Sequence, residues 1–97
     1  MNITGHEAEK LKDPTGILTG ERYEFLIDID IPEDDEMHME NGVFIKAIVA
    51  VDDKGTRIVQ YHLYEDTTNK LLDFELEEEE LEMVKAYCIK LLEQEVI

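Results

Sequence analysis

Ninety-seven residues carry 25 Asp plus Glu against 9 Lys plus Arg, a formal net charge of −16. That length makes one domain, able to build a single core without disulfide or metal staples. That charge repels nucleic acid and anionic membranes, and it attracts cations and basic protein faces.

Residues 2–12 alternate weakly, with Ile3 and Leu11 apolar, and predict an edge strand. Asp13-Pro14-Thr15-Gly16 is a turn, with Asp, Pro and Gly at the positions a type I turn favours. Residues 21–31 form a half-buried strand with Tyr23, Phe25, Ile27, Ile29 and Ile31 on one face and Glu24, Asp28 and Asp30 on the other. Leu26 breaks the pattern, and Pro32 ends the strand. Residues 33–42 are an acidic loop closed by Asn41-Gly42, a turn pair.

Val43 to Val51 and Thr56 to Tyr64 are the two strongest strands, joined by Asp52-Asp53-Lys54-Gly55. Gly55 sits where a three-residue hairpin loop wants a left-handed residue, so a type I turn with a bulge is expected. That register sets Asp52 opposite Thr56 and Val49 opposite Val59. Val59 then joins Val43, Ile45, Ala47, Val49, Val51, Tyr61 and Leu63 on a core face, while Phe44, Lys46, Ile48, Ala50, Ile58, Gln60, His62 and Tyr64 make a mixed face. After a second turn at Asp66–Lys70, Leu71 to Leu76 predicts a fifth strand. From Glu77 the period changes: Leu81, Val84, Cys88, Leu91 and Leu92 share a stripe of a helix over 78–94, with four glutamates at its positive end. The expected fold is α+β, an antiparallel meander of about five strands with the C-terminal helix packed on one face.

No catalytic set emerges. His6, His38 and His62 lie on different elements without zinc spacing. Cys88 falls inside the helix stripe, away from the cations or helix start that activate a thiol, and reads as a small core residue. The glycines are isolated turn residues, with no phosphate-cradling loop. No cofactor is implied. Asp28, Asp30, Glu33, Asp34 and Asp35 supply the oxygen ligands a divalent cation takes, and Asp28 and Asp30 share a strand face roughly 7 Å apart. They do not follow the EF-hand spacing, and the plainer reading is a solvated charge run.

The run Lys12 to Phe25, the segment Glu40-Asn41-Gly42-Val43 and the run Gln60 to Phe74 resemble a family of short acidic proteins of unknown function from Bacillus-like bacteria. The resemblance covers roughly residues 2–92 and implies a bacterial origin. Some members carry a pullulanase label, which does not suit this chain: a barrel catalytic domain takes about 250 residues. The family offers no catalytic or binding residues to carry over.

The expected function is therefore a non-enzymatic interaction module for a basic protein partner. The acidic loop with Glu36, the helix start with Glu77 and Glu78, and the apolar anchors Phe44, Ile48 and Tyr64 are its candidate contacts. The alternative is a divalent-cation-binding domain built on the acidic loop. A small enzyme would need a concave pocket with a carboxylate or His62 at its base. The single cysteine, the lack of an apolar signal core at Met1–Glu7 and the lack of an apolar run of roughly 20 residues point to the cytoplasm. A monomer or a homodimer through an edge strand, 2–12 or 71–76, is expected.

Overall fold

The computed structural model describes residues 2–12, 20–36 and 38–94. The predicted turn at Asp13–Gly16 lies outside the described residues. Five strands and one helix follow in chain order: β1 (Asn2–Leu11), β2 (Glu21–Asp30), β3 (Val43–Asp52), β4 (Gly55–Glu65), β5 (Leu71–Leu72) and α1 (Glu78–Glu93). Each strand pairs antiparallel with its sequence neighbours, so the sheet order is β1-β2-β3-β4-β5. This is the expected meander with a C-terminal helix.

Alternation decides the faces. Phe25, Ile27, Ile29 and Ile31 meet Val43, Ile45, Ala47, Val49 and Leu63 on the inner face, and all are buried. Val84, Cys88 and Leu91 of α1 close over them, with Leu81, Tyr87 and Leu92 at the margin. The helix stripe thus buries the sheet's apolar face, as two-layer packing requires. Two polar ties hold the layers in place. The Tyr61 hydroxyl accepts the Leu76 N–H at 3.0 Å, which positions the chain ahead of α1. His6 Nδ1 and the Tyr87 hydroxyl lie 2.8 Å apart and join β1 to the helix. At the helix start, Glu80 Oε1 accepts the Glu77 N–H at 2.9 Å, satisfying a backbone donor outside the helical ladder.

Two local expectations are corrected. The β3–β4 register matches from Val43↔Glu65 to Ile48↔Gln60 and then shifts, so Val49 faces Ile58 and Asp52 faces Gly55. The loop is therefore two residues, Asp53-Lys54, and the extra residue is taken up at Val59 instead of at the loop. A bulge reverses side-chain parity beyond it. Ile58 consequently packs against the core, and Val59, expected inside, is 44% exposed. The exchange favours the larger aliphatic side chain for burial. The second correction concerns β5, which covers only Leu71 and Leu72. Leu72, Phe74 and Leu76 still turn toward the core, but residues 73–77 follow no ladder. A second bulge, between Ile3 and Gly5, interrupts the β1–β2 ladder.

Gly20 opens β2 with φ +75°, and a Cβ there would collide with the Val51 carbonyl oxygen and the Asp52 side chain. Only glycine fits both the backbone angle and the space.

The hairpin tip is pinned by Asp52. Its Oδ1 accepts the Lys54 N–H and its Oδ2 accepts from Arg57 Nη1, both at 2.9 Å. The Arg57 hydrogen bond, then the Lys54 N–H, hold its carboxyl below the usual carboxylate range. A carboxyl depressed in the folded state contributes stability that is present above its unfolded pKa and is lost as pH falls through the folded one. Urea unfolding followed from neutral pH into acid is therefore expected to show a shallower stability loss in Asp52→Asn than in the native chain. Parallel acid limbs in the two proteins would contradict this role.

Candidate functional site

The helix covers one face of the sheet and, among the described residues, the other is left open. Register assembles that outer face from all five strands. One row runs Gly5, Asp28, Phe44, Tyr64, Leu71; the next runs Glu7, Leu26, Lys46, His62; a third runs Glu9, Glu24, Ile48, Gln60. Phe44 and Tyr64 are direct cross-strand partners, and their rings stack at 5.3 Å with an 18° interplanar angle. His62 approaches Tyr64 at 6.4 Å in a tilted arrangement. Leu71, 57% exposed, extends the apolar row to the sheet margin.

Around this apolar centre the charges are mostly negative. Glu7, Glu9, Glu24 and Asp28 lie on the β1–β2 side. Asp66 and Asn69 close a shallow depression of about 340 Å³ beside Phe44, Leu26 and Asp28. Lys46 is the cation within these rows, and it approaches Glu24 at 3.8 Å. An apolar middle with a charged margin is the anatomy of a protein-binding surface.

The sequence-predicted interaction residues divide between two layers. Phe44, Ile48 and Tyr64 do share the outer face. Glu77 and Glu78 begin the helix that packs on the opposite face, and Glu36 lies exposed in the loop after β2. The reading of the sequence missed Leu26, Glu7, Glu9, Glu24 and Leu71. Leu26 left a signal, the single break in the alternation of β2: it faces outward, and Glu7 of β1 is its register partner.

The acidic loop is a succession of turns, the last closed by the Gly42 N–H donating to the Met39 carbonyl at 3.0 Å. The Pro32 carbonyl accepts the Asp35 N–H, and the Asp35 carbonyl accepts the His38 N–H, both at 3.0 Å. His38 Nδ1 lies 2.9 Å from the Ile31 carbonyl oxygen. Asp28 and Asp30 stand exposed on the outer side of β2, while Glu33, Asp34 and Asp35 are exposed beyond Pro32. Among the described residues, no three His, Cys, Asp or Glu side chains form a group that could hold a metal.

Other shifted groups serve structure. Glu21 accepts from the Tyr23 hydroxyl and from Lys10 Nζ, the latter at 2.9 Å. These bonds, Tyr23's first, hold the Glu21 carboxyl below its ordinary range, and Glu21 raises both Tyr23 and Lys10. This exposed cluster ties the end of β1 to the start of β2. The Cys88 thiol is buried, and burial pushes its pKa up to about 12.

A family model described as a family of unknown function (DUF6509) matches residues 1–95. The chain belongs to that family, in keeping with the resemblance seen in its sequence. No curated protein matches it. No solved structure matches it either. No helix among the described residues is long and apolar enough to cross a membrane.

Proposed function

We propose that this chain is a non-catalytic, cytoplasmic protein-interaction domain that presents the outer face of its sheet to a basic protein. The observation that carries this is the stacked Phe44–Tyr64 pair set in an open sheet face and flanked by Glu7, Glu9, Glu24 and Asp28. Stacked aromatics supply rigid contact area at low entropic cost, and carboxylates at the rim steer a cationic partner and set its orientation. The overall charge of −16 extends that steering beyond contact distance.

The non-catalytic part of the reading has its own support. The buried thiol is protonated and enclosed. The carboxyls with resolved shifts, Glu21 and Asp52, are held low by exposed structural bonds and are not raised toward neutrality, as a general acid would need. The outer depression is shallow.

The test compares proteins retained from a cell extract by the immobilised native chain and by a Phe44→Ser/Tyr64→Ser variant. The reading expects a basic protein that binds the native chain, is released by raised salt, and is lost from the variant. Identical retention by both forms sinks it.

A further inference from the structure

Among the described residues the sheet has two free edges, and their chemistry is opposite. β1 is one. The other is most of β4, because β5 pairs only with Leu63 and Tyr64 and leaves Gly55–His62 without a strand on its outer side among the described residues. On β1, Glu7 and Glu9 occupy one face in succession. Antiparallel pairing of β1 with its own copy about an axis at Glu7, Ala8 or Glu9, the registers that pair most of the strand, sets glutamate opposite glutamate, which opposes pairing. The open stretch of β4, Gly-Thr-Arg-Ile-Val-Gln-Tyr-His, has no acidic residue and no proline. In a chain of net charge −16 it is an edge where two copies can approach without facing carboxylates.

That edge is also one wall of a groove. A cavity of about 550 Å³ runs between β4 and α1, lined by Arg57, Val59, Tyr61, Leu81, Glu82 and Lys85 among others. The β4 bulge turns Val59 outward over it, 44% exposed. Glu82 and Lys85 lie one helical turn apart on the helix wall, and neither makes an ion pair among the described residues. A two-fold axis passing between positions 82 and 85 lays the two helices antiparallel, with position 82 of one copy facing position 85 of the other. It brings Glu82 of each copy to Lys85 of the other, a self-complementary charge pattern of the kind an isologous interface requires.

We propose that a second copy of this chain docks along the open stretch of β4 and fills the groove beside α1, forming a two-fold dimer. Val59 packs across the axis, and two reciprocal Glu82–Lys85 pairs set the register. The bulge keeps strand pairing short, so the groove contacts carry the association. The surface borders the outer face at Gln60 and His62 but does not include the Phe44–Tyr64 pair.

The test is sedimentation equilibrium at physiological ionic strength, with circular dichroism confirming that each variant is folded. The native chain is expected to be a dimer. Glu82→Lys and Lys85→Glu each juxtapose like charges twice, and each should weaken the dimer at least roughly tenfold. Mixing the two variants restores both pairs, so the mixture should associate more tightly than either alone. Val59→Asp, a change at an exposed site, should also weaken the dimer. Phe44→Ser/Tyr64→Ser should leave it unchanged, so this proposal and the partner reading fail separately. A native chain that stays monomeric at every concentration overturns the proposal. So does a dimer indifferent to the charge variants, or a mixture no tighter than its components.

Discussion

Phe25→Ala is expected to cost about 3–5 kcal/mol of stability, the range for removing a fully buried aromatic ring. Phe25 is wholly buried, and its position in the sheet argues for the upper part of that range. Its register partners are Ala8 on β1 and Ala47 on β3. The ring therefore fills space above two neighbours with almost no side chain. The substitution would line up three alanines across the sheet, and strands held by backbone ladders cannot close inward to fill the void. Small domains have about 5–15 kcal/mol in total, so the loss takes a large share of the whole. Urea unfolding should show a much lower midpoint with an unchanged slope, since the surface exposed on unfolding hardly changes. In a thermal scan the midpoint should fall by about 12–40 °C, at roughly 4–8 °C per kcal/mol for a domain of this size. A loss below about 1 kcal/mol would mean that the site collapses freely and that the packing described here is wrong.

Cys88 should resist alkylation in the folded protein by about a thousandfold from protonation alone. With the pKa pushed up to about 12, the thiolate fraction near neutral pH is three orders of magnitude below that of a thiol at its ordinary value of 9.0. Complete burial beneath the helix stripe slows the reaction further. Labelling therefore proceeds through opening of α1 from the sheet, and its rate should rise steeply with urea. Mass spectrometry after timed exposure to iodoacetamide checks this, with the urea-unfolded chain as reference. Labelling of the native chain at the reference rate would contradict the burial. The same shift has a thermodynamic side. A thiol whose folded pKa is raised contributes stability that is fully present below its unfolded pKa and is lost as pH rises above it. From about pH 9 to about 12 stability should therefore decline, by at most ~1.4 kcal/mol per pH unit from this group. Cys88→Ala should flatten that alkaline limb at the cost of a small cavity.

Most of the fold was legible because the chain is a meander. Each strand pairs with its neighbour, so alternation in β2 and β3 named the inner face without any long-range knowledge, and the change of period at Glu77 announced the helix. What stayed hidden were the places where parity slips. The bulge at Val59 exchanges Val59 and Ile58 between faces, and two adjacent β-branched residues give alternation no means of choosing between them. The two-residue β5 was equally obscure. Leu72, Phe74 and Leu76 alternate like a strand, although only Leu72 is in the ladder. The candidate surface was half legible. Phe44 and Tyr64 followed from the hairpin register, which holds at that end of the strands. Their acidic surroundings belong to β1 and β2, and they join the surface through a β1–β2 register that local pattern does not fix. The groove beside α1 was invisible, since it arises from the bulge and the shortness of β5 together.

The helix that closes the core is the last of the six elements to be synthesised. At roughly 5–20 residues per second, its final turn is synthesised about one to six seconds after the end of β4. Through that interval the nascent sheet has nothing over Phe25, Ile27, Ile45 and Val49. Neighbouring nascent chains on one messenger would carry the same naked apolar face. The acidic runs at Glu33–Glu36 and Asp52–Asp53 have emerged by then, and like charge keeps such chains apart. A chain halted before residue 78 would keep that face uncovered for good, which makes a premature stop in this protein a route to aggregates and not merely to a missing product.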